Sequence, residues 1–304
     1  MTILYNLHIA AAMIHAISCI FAIIVHTDTI NGVLTLPHHK YMADNNAVIR
    51  EHVVNATVTH EAVIYTHPMV WIAANEGFTF FSHCIALCFL RKRLSDLELN
   101  EMELSRRTVE YMFTAGILQV ALVLGIGKVA LYDVFMLLLV NVVIQGLGWI
   151  ADQRDLPERL KPFLYAAAFT LLAVEIQYVI FQTTNIEGIE VGPYVFMGVF
   201  YGIFYLLFGV VKLVERWKKN ENEIYILMSV TSKVALSWIL IGNTYAGLSE
   251  LGVKSEPNDF TDLDWRAIQV IISVVCALVL AIGIYYFGSD TSGQRITRYF
   301  VVRS

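Results

Sequence analysis

A single lysine, Lys233, lies in the middle of an otherwise uncharged apolar run from Ile224 to Asn243. A charged lysine at the centre of a membrane-spanning helix costs about 2.5–3.5 kcal/mol on insertion scales, so chains that keep one there usually use it. Lys233 follows Glu223 by ten residues, which is about 15 Å at about 1.5 Å per residue. Its amine is therefore too deep to reach the membrane surface easily.

Two kinds of chemistry suit an amine at that depth. It can form an ion pair that holds helices together, or it can form an imine with an aldehyde ligand, because an apolar pocket favours the neutral amine. A protonated imine still needs an anion nearby. Ser229 and Ser237, four residues before and after the lysine, share its helix face and can hydrogen-bond near its nitrogen.

Three carboxylates within apolar segments are candidates for that anion. Glu110 lies just inside one segment, at a depth compatible with Lys233, whereas Glu175 lies in the middle of another and Glu76 in the outer half of a third. The alternative for Glu110 is an interfacial carboxylate at a helix start, favoured by the helix dipole and by the neighbouring Arg106 and Arg107.

The elements that must carry these residues are membrane-spanning helices. Hydrophobic residues make up 57% of the 304 positions and charged residues only 15%, far from the composition of a soluble globular protein. A helix needs about 20 apolar residues to cross the hydrocarbon core. Eight stretches satisfy this: 6–26, 65–90, 107–127, 131–151, 163–183, 193–214, 224–246 and 265–287.

The distribution of lysine and arginine predicts the orientation. With a cytoplasmic N-terminus, fifteen of these residues fall in inside segments and five in outside segments. The positive-inside rule therefore places both termini in the cytoplasm of a multi-pass protein of the cell membrane. Because topology accounts for the basic clusters, no nucleic-acid partner is expected.

The first outside loop is long, about 40 residues from Thr27 to His67, well beyond a usual connection. Its β-branched segments and the Asn31-Gly32 turn signal predict a short hairpin over the outer mouth of the bundle. Its histidines match no metal-site spacing, so no metal site is predicted.

Several segments resemble the heliorhodopsins, a family of retinal-binding rhodopsins whose N-terminus is cytoplasmic. The first span contains YNLHIAAAMIHAIS, which places the family's inner-cavity histidine on His15. The third contains VEYMFTA with Glu110, the fourth VNVVIQGLGWIAD with Asn141, and the seventh SVTSKVALSW with Ser229 one turn before Lys233. The long first outside loop is a further common trait.

The resemblance implies an all-α membrane protein with a seven-helix rhodopsin-like bundle in residues 1–248. Residues 249–304 would add an eighth transmembrane helix and a cytoplasmic tail, which have no counterpart in the seven-helix pattern. The implied partners are the lipid bilayer, a second copy in a homodimer and a signalling partner of unknown identity.

The resemblance also implies a site chemistry. All-trans retinal would be bound to Lys233 as a protonated Schiff base, with Glu110 as its counterion and Ser229 and Ser82 in the hydrogen-bond network. His83, next to Ser82, points about 100° away from it and is not expected to replace fully the second histidine that the family carries near this serine. Four aromatic residues are candidates for the pocket wall: Phe200, Phe204, Tyr178 and Trp238.

The implied function is light sensing without enzymatic turnover and without active pumping. Because intramembrane carboxylates often mark proton relays, Glu175 and Glu76 make a light-activated passive proton conductance the main alternative. A transporter that uses Lys233 only as an ion-pair partner is a third possibility. The absence of an internal sequence repeat disfavours it.

Overall fold

Seven α-helices contain nearly all the residues that the structure, a computed structural model, describes. These residues are 2–35, 63–64, 68–92, 94–124, 129–153, 155–184, 191–213, 220–250, 278 and 282. The helices are α1 (Thr2–Thr35), α2 (Pro68–Leu90), α3 (Asp96–Leu124), α4 (Leu131–Ala151), α5 (Lys161–Thr184), α6 (Val191–Leu213) and α7 (Glu221–Glu250). Each of the first seven predicted spans thus corresponds to a helix.

Length and composition identify a helical, multi-pass membrane protein. Within the described ranges, all helices except α6 contain a stretch long and apolar enough to cross a bilayer, and α6 contains the shorter apolar segment Val199–Val211. Large apolar side chains such as Phe81, Leu139 and Phe163 are exposed on the outer faces of the helices, where lipid would cover them.

Helix α3 begins well before the predicted span at residue 107, because a polar segment extends it. The Ser95 backbone N–H donates to Glu98 Oε2 (2.8 Å), and the Glu98 N–H donates to Ser95 Oγ (3.3 Å). This reciprocal pair is a capping box, which satisfies two backbone donors at a helix start. A window that scores only apolar residues misses such a beginning, although the Ser-x-x-Glu spacing indicates it.

The first loop also differs from expectation. Asn31 and Gly32, predicted to form a turn, lie within α1. The two-residue strand β1 (Val63–Ile64) pairs antiparallel with β2 (Val129–Ala130), the segment before α4, rather than with another part of its own loop. The rest of the predicted hairpin lies outside the described residues. So does most of the predicted eighth span, of which only Leu278 and Ile282 are described, both helical.

The seven helices close into a ring. Each helix packs against the next in the sequence, and α1 packs against α7. Helix α2 also contacts α7, and α3 contacts α5 and α7 across the interior. The inner faces of α1, α2, α3 and α7 therefore meet, and the polar candidates from the sequence lie on these faces.

Candidate functional site at Lys233

Lys233 lies in the middle of α7 with only 4% of its surface exposed. Its Nζ donates to Glu110 Oε1 on α3 at 2.6 Å and to Thr79 Oγ1 on α2 at 2.9 Å. The same nitrogen lies 5.0 Å from the centre of the Tyr111 ring, a distance at which an aromatic face attracts a cation. Two helices, α2 and α3, thus supply polar or aromatic contacts to one buried amine on α7.

Glu110 is bound on its other side as well. Its Oε2 accepts hydrogen bonds from Arg106 Nη1 at 2.6 Å and from Ser82 Oγ at 2.7 Å. The Arg106 side chain is only 8% exposed, and it also donates from Nη2 to Glu103 Oε2 at 3.0 Å. Two cations and two carboxylates alternate, so the cluster has no net charge. Buried ions require such pairing, because an unpaired one costs several kcal/mol.

A histidine pair continues from Glu103 into the bundle. His8 Nε2 lies 3.1 Å from Glu103 Oε1, and His8 Nδ1 lies 2.7 Å from His83 Nδ1. Both rings are buried. The sequence places His83 about 100° from Ser82 around α2, and here the two side chains do face different helices, while His83 still joins the polar cluster through His8. Because α2 packs against α1, α3 and α7, Ser82 can face α3 while His83 faces α1, and both are inside the ring.

A second polar group surrounds Glu76 and lies next to the first, because the His15 ring is 5.8 Å from the His83 ring. Its Oε2 lies 2.6 Å from His15 Nδ1, and its Oε1 accepts from Ser237 Oγ at 2.5 Å and from Asn75 Nδ2 at 3.1 Å. Ser237 therefore binds Glu76 and not the lysine nitrogen, near which the sequence placed it. Glu76 and His15 are both completely buried.

Two other residues predicted from the sequence have supporting positions. Ser229 is buried one turn before Lys233, but its hydroxyl makes no hydrogen bond to the lysine within the described residues. Asn141 Nδ2 donates to the backbone oxygens of Tyr111 (2.7 Å) and Met112 (2.9 Å). Asn141 thereby fixes α4 against the turn of α3 that follows Glu110.

An apolar cavity of about 140 Å³ begins at Lys233 and extends between α3, α4, α5, α6 and α7. Aromatic and aliphatic side chains form most of its wall, and Tyr111 lines it beside the amine. Its lining includes Leu118, Ile144, Phe169, Leu172, Tyr205 and Phe208. An amine at the end of such a cavity, with a carboxylate behind it, fits an elongated apolar aldehyde better than a polar ligand.

The four aromatic residues predicted for the pocket wall are not among the residues that line this cavity. Phe200 and Phe204 pack edge-to-face against each other at 4.5 Å between ring centres. Trp238 turns toward α1 and donates from Nε1 to Ser18 Oγ at 3.0 Å. Tyr178 packs against the main hydrophobic core. The resemblance suggested aromatic residues of the later spans for the pocket wall but does not indicate which interior space each one borders.

Glu175 is 3% exposed, and neither of its carboxylate oxygens has a hydrogen-bond partner within the part of the chain that the structure describes. It lies near Gln119 and Tyr205, and the Gln119 amide in turn donates to the Tyr201 hydroxyl. Lys233 binds Glu110 instead of Glu175, so Glu175 takes no part in the charged cluster around the amine.

The sequence did not identify Thr79, Arg106, Glu103 or His8 as members of the site. Their spacing contained a signal, since Glu103 and Glu110 are seven residues apart, as are His8 and His15. Residues separated by seven positions lie on one helix face. Comparison of the chain with protein-family models, curated proteins and solved structures finds no match.

Two glycines on the cavity wall test how tightly it is packed. A Cβ at Gly209 would overlap the Phe169 ring, whereas one at Gly148 meets nothing within 4 Å. Alanine raises helix propensity at both positions by about 1 kcal/mol, but overpacking at Gly209 costs about 1–3 kcal/mol. We therefore expect Gly209→Ala to melt at a lower temperature than Gly148→Ala in thermal unfolding of the purified protein. Equal melting temperatures would show that Phe169 moves aside freely.

Proposed function

We propose that this protein is a light-sensing retinal protein in which Lys233 carries all-trans retinal and Glu110 is the counterion. The observation that carries the proposal is the buried contact of 2.6 Å between Lys233 Nζ and Glu110 Oε1 at the end of an apolar cavity. When bound through an imine, retinal would supply visible absorption and a light-driven change of shape.

The residues around the amine have separable tasks in this proposal. Glu110 stabilises a positive charge on the lysine nitrogen, and Thr79 accepts its hydrogen bond. Arg106 and Ser82 hold the other carboxylate oxygen, which keeps Glu110 oriented toward α7. The mostly apolar wall suits an elongated apolar ligand. A change in ligand shape would then move the amine relative to Glu110 and alter its proton affinity.

The resemblance to the heliorhodopsins implies the same attachment lysine and the same counterion, and it implies further properties of the protein. It supports a rhodopsin-like arrangement of the seven-helix ring with a cytoplasmic N-terminus, and a homodimer that signals to another protein. The direct test is an absorption spectrum: the purified protein should acquire a visible band when all-trans retinal is added.

A light-activated passive proton conductance is the second candidate function. The observation that favours it is the burial of Glu76 in hydrogen bonds to His15 and Ser237. Buried ionisable groups away from the chromophore are frequent components of proton paths. Glu175, with two unpartnered oxygens, is the other candidate relay group.

Photocurrents in voltage-clamped cells distinguish the two functions. A sensor gives no current, whereas a passive conductance gives one that reverses near the proton equilibrium potential. In the second case we expect Glu76→Gln or Glu175→Gln to reduce the current several-fold and to leave the visible band, because neither carboxylate contacts the Lys233 amine. Current against an opposing gradient would refute the passive mechanism. Unchanged current in both variants would remove these two residues from the path.

A further inference from the structure

Two hydrogen-bonded groups of residues lie in the polar interior and are called its two halves here. They approach each other at the rings of His15 and His83. One half runs from Glu103 through His8 to His83, and the other joins Glu76 to His15. The His15 and His83 rings are parallel within 9°, with centres 5.8 Å apart. The Nε2 atom of each ring is buried and has no hydrogen-bond partner among the described residues.

Hydrogen-bond chemistry fixes the protons of the first half. Glu103 is ionised, because its Oε2 accepts two bonds from Arg106. Its Oε1 therefore accepts from His8 Nε2–H. A neutral His8 then has a bare Nδ1, which accepts from His83 Nδ1–H across 2.7 Å. His83 consequently presents the lone pair of Nε2 toward the interior.

The second half presents a proton donor to the interior, whereas the first half presents an acceptor. Glu76 Oε1 accepts from Asn75 and Ser237, and Glu76 Oε2 lies 2.6 Å from His15 Nδ1, an arrangement that suits an ionised Glu76. A buried carboxylate requires a cationic partner, and His15 at 2.6 Å is the group that can supply the charge. A charged His15 carries a proton on both nitrogens. Its unpartnered Nε2–H is a donor, whereas the unpartnered Nε2 of His83 is an acceptor.

We propose that these five residues form one buried proton relay, and that the step between His15 and His83 controls it. In this relay His15 Nε2–H gives its proton to His83 Nε2 through one bridging water molecule. His83 passes its Nδ1 proton to His8, and His8 passes its Nε2 proton to Glu103. His83 and His8 each gain one proton and lose one, His15 loses one and Glu103 gains one, so the result is a neutral His15 and a protonated Glu103. The relay specifies the path of the proposed passive conductance and rests on that function.

The protonation pattern can be measured without any current. Solid-state NMR of protein with ¹⁵N-labelled histidine in lipid distinguishes protonated from bare ring nitrogens, and single His→Gln variants assign each ring. We expect protons on Nδ1 only for His83, on Nε2 only for His8, and on both nitrogens for His15. A proton on Nε2 of His83 in the dark would overturn the relay, because His83 could not then accept from His15.

Transport in liposomes tests whether the relay operates. Light-dependent proton flux, followed with a trapped pH dye, should fall several-fold in His83→Gln, because an amide cannot accept a proton and pass one on. His26→Gln, a histidine on α1 outside the two halves, should leave the flux unchanged. Full flux in His83→Gln would overturn the relay while leaving the passive conductance intact.

Infrared difference spectra separate a failed conductance from a failed relay. Illumination should produce a protonated-carboxyl band that is absent in Glu103→Gln. If the wild type shows this band without flux, the relay stands and the conductance is refuted. If the wild type shows flux without this band, the relay is refuted.

Discussion

Lys233→Ala is expected to abolish the visible absorption band that forms when all-trans retinal is added to the purified protein. The reason is chemical: an imine needs a primary amine, and alanine has none. Of the lysines in the described residues with side-chain positions, Lys233 is the one on the cavity wall. Lys161→Ala removes a partly exposed lysine at the start of α5 and should retain the full band.

Loss of the lysine also removes one of the two cations that contact Glu110 and leaves Arg106. Removing one member of a buried ion pair costs about 3–5 kcal/mol. A folding defect could therefore imitate loss of binding. Borohydride reduction of the wild type avoids this problem, because it should fix the mass of retinal on the peptide that contains Lys233. A visible band in Lys233→Ala, or retinal on another peptide, would refute the assignment of the attachment site.

Glu110→Gln is expected to shift the visible band and to lose it at a pH at which the wild type keeps it. The substitution removes the carboxylate that lies between Lys233 and Arg106, so the nitrogen faces a nearby cation without an anion. Glu175→Gln is the matched control, because it is the same substitution at another buried helical site and touches none of the Lys233 contacts. Its spectrum and its pH titration should change little.

The measurement is the visible spectrum of each variant as a function of pH. A coupling of the size found for buried ion pairs, about 3–5 kcal/mol, corresponds to at least about two pH units at about 1.4 kcal/mol per unit. If Glu175→Gln moved the titration more than Glu110→Gln, the assigned counterion would be wrong.

The first seven helices and the approach of Glu110 to Lys233 follow from sequence patterns. Apolar length indicates each helix, and depth along two helices places the carboxylate and the amine at one level. Depth does not reveal rotation about the helix axis. The angle of about 100° between Ser82 and His83 therefore does not show whether both side chains lie inside the bundle. A helix packed against three neighbours buries residues that are 100° apart.

Arg106 shows a second limit of sequence patterns. A position near the start of an apolar segment normally indicates an interfacial arginine, and the positive-inside rule assigns it to the cytoplasmic surface. Its burial depends on Glu103 and Glu110, which lie three residues before and four after it and neutralise its charge. Whether a charged residue can be buried is therefore decided by its partners on the same helix as much as by its own position.

The closed ring has a consequence for biogenesis. Helix α3 enters the membrane with an internal pair, because Arg106 and Glu110 are four residues apart on one face. Helix α7 is synthesised last of the seven and carries a cation whose partners, Glu110 and Thr79, are on other helices. An isolated lysine at that depth opposes insertion by about 2.5–3.5 kcal/mol. Earlier helices that already present Glu110 would lower this barrier, so stable integration of α7 would depend on correct assembly of the preceding helices.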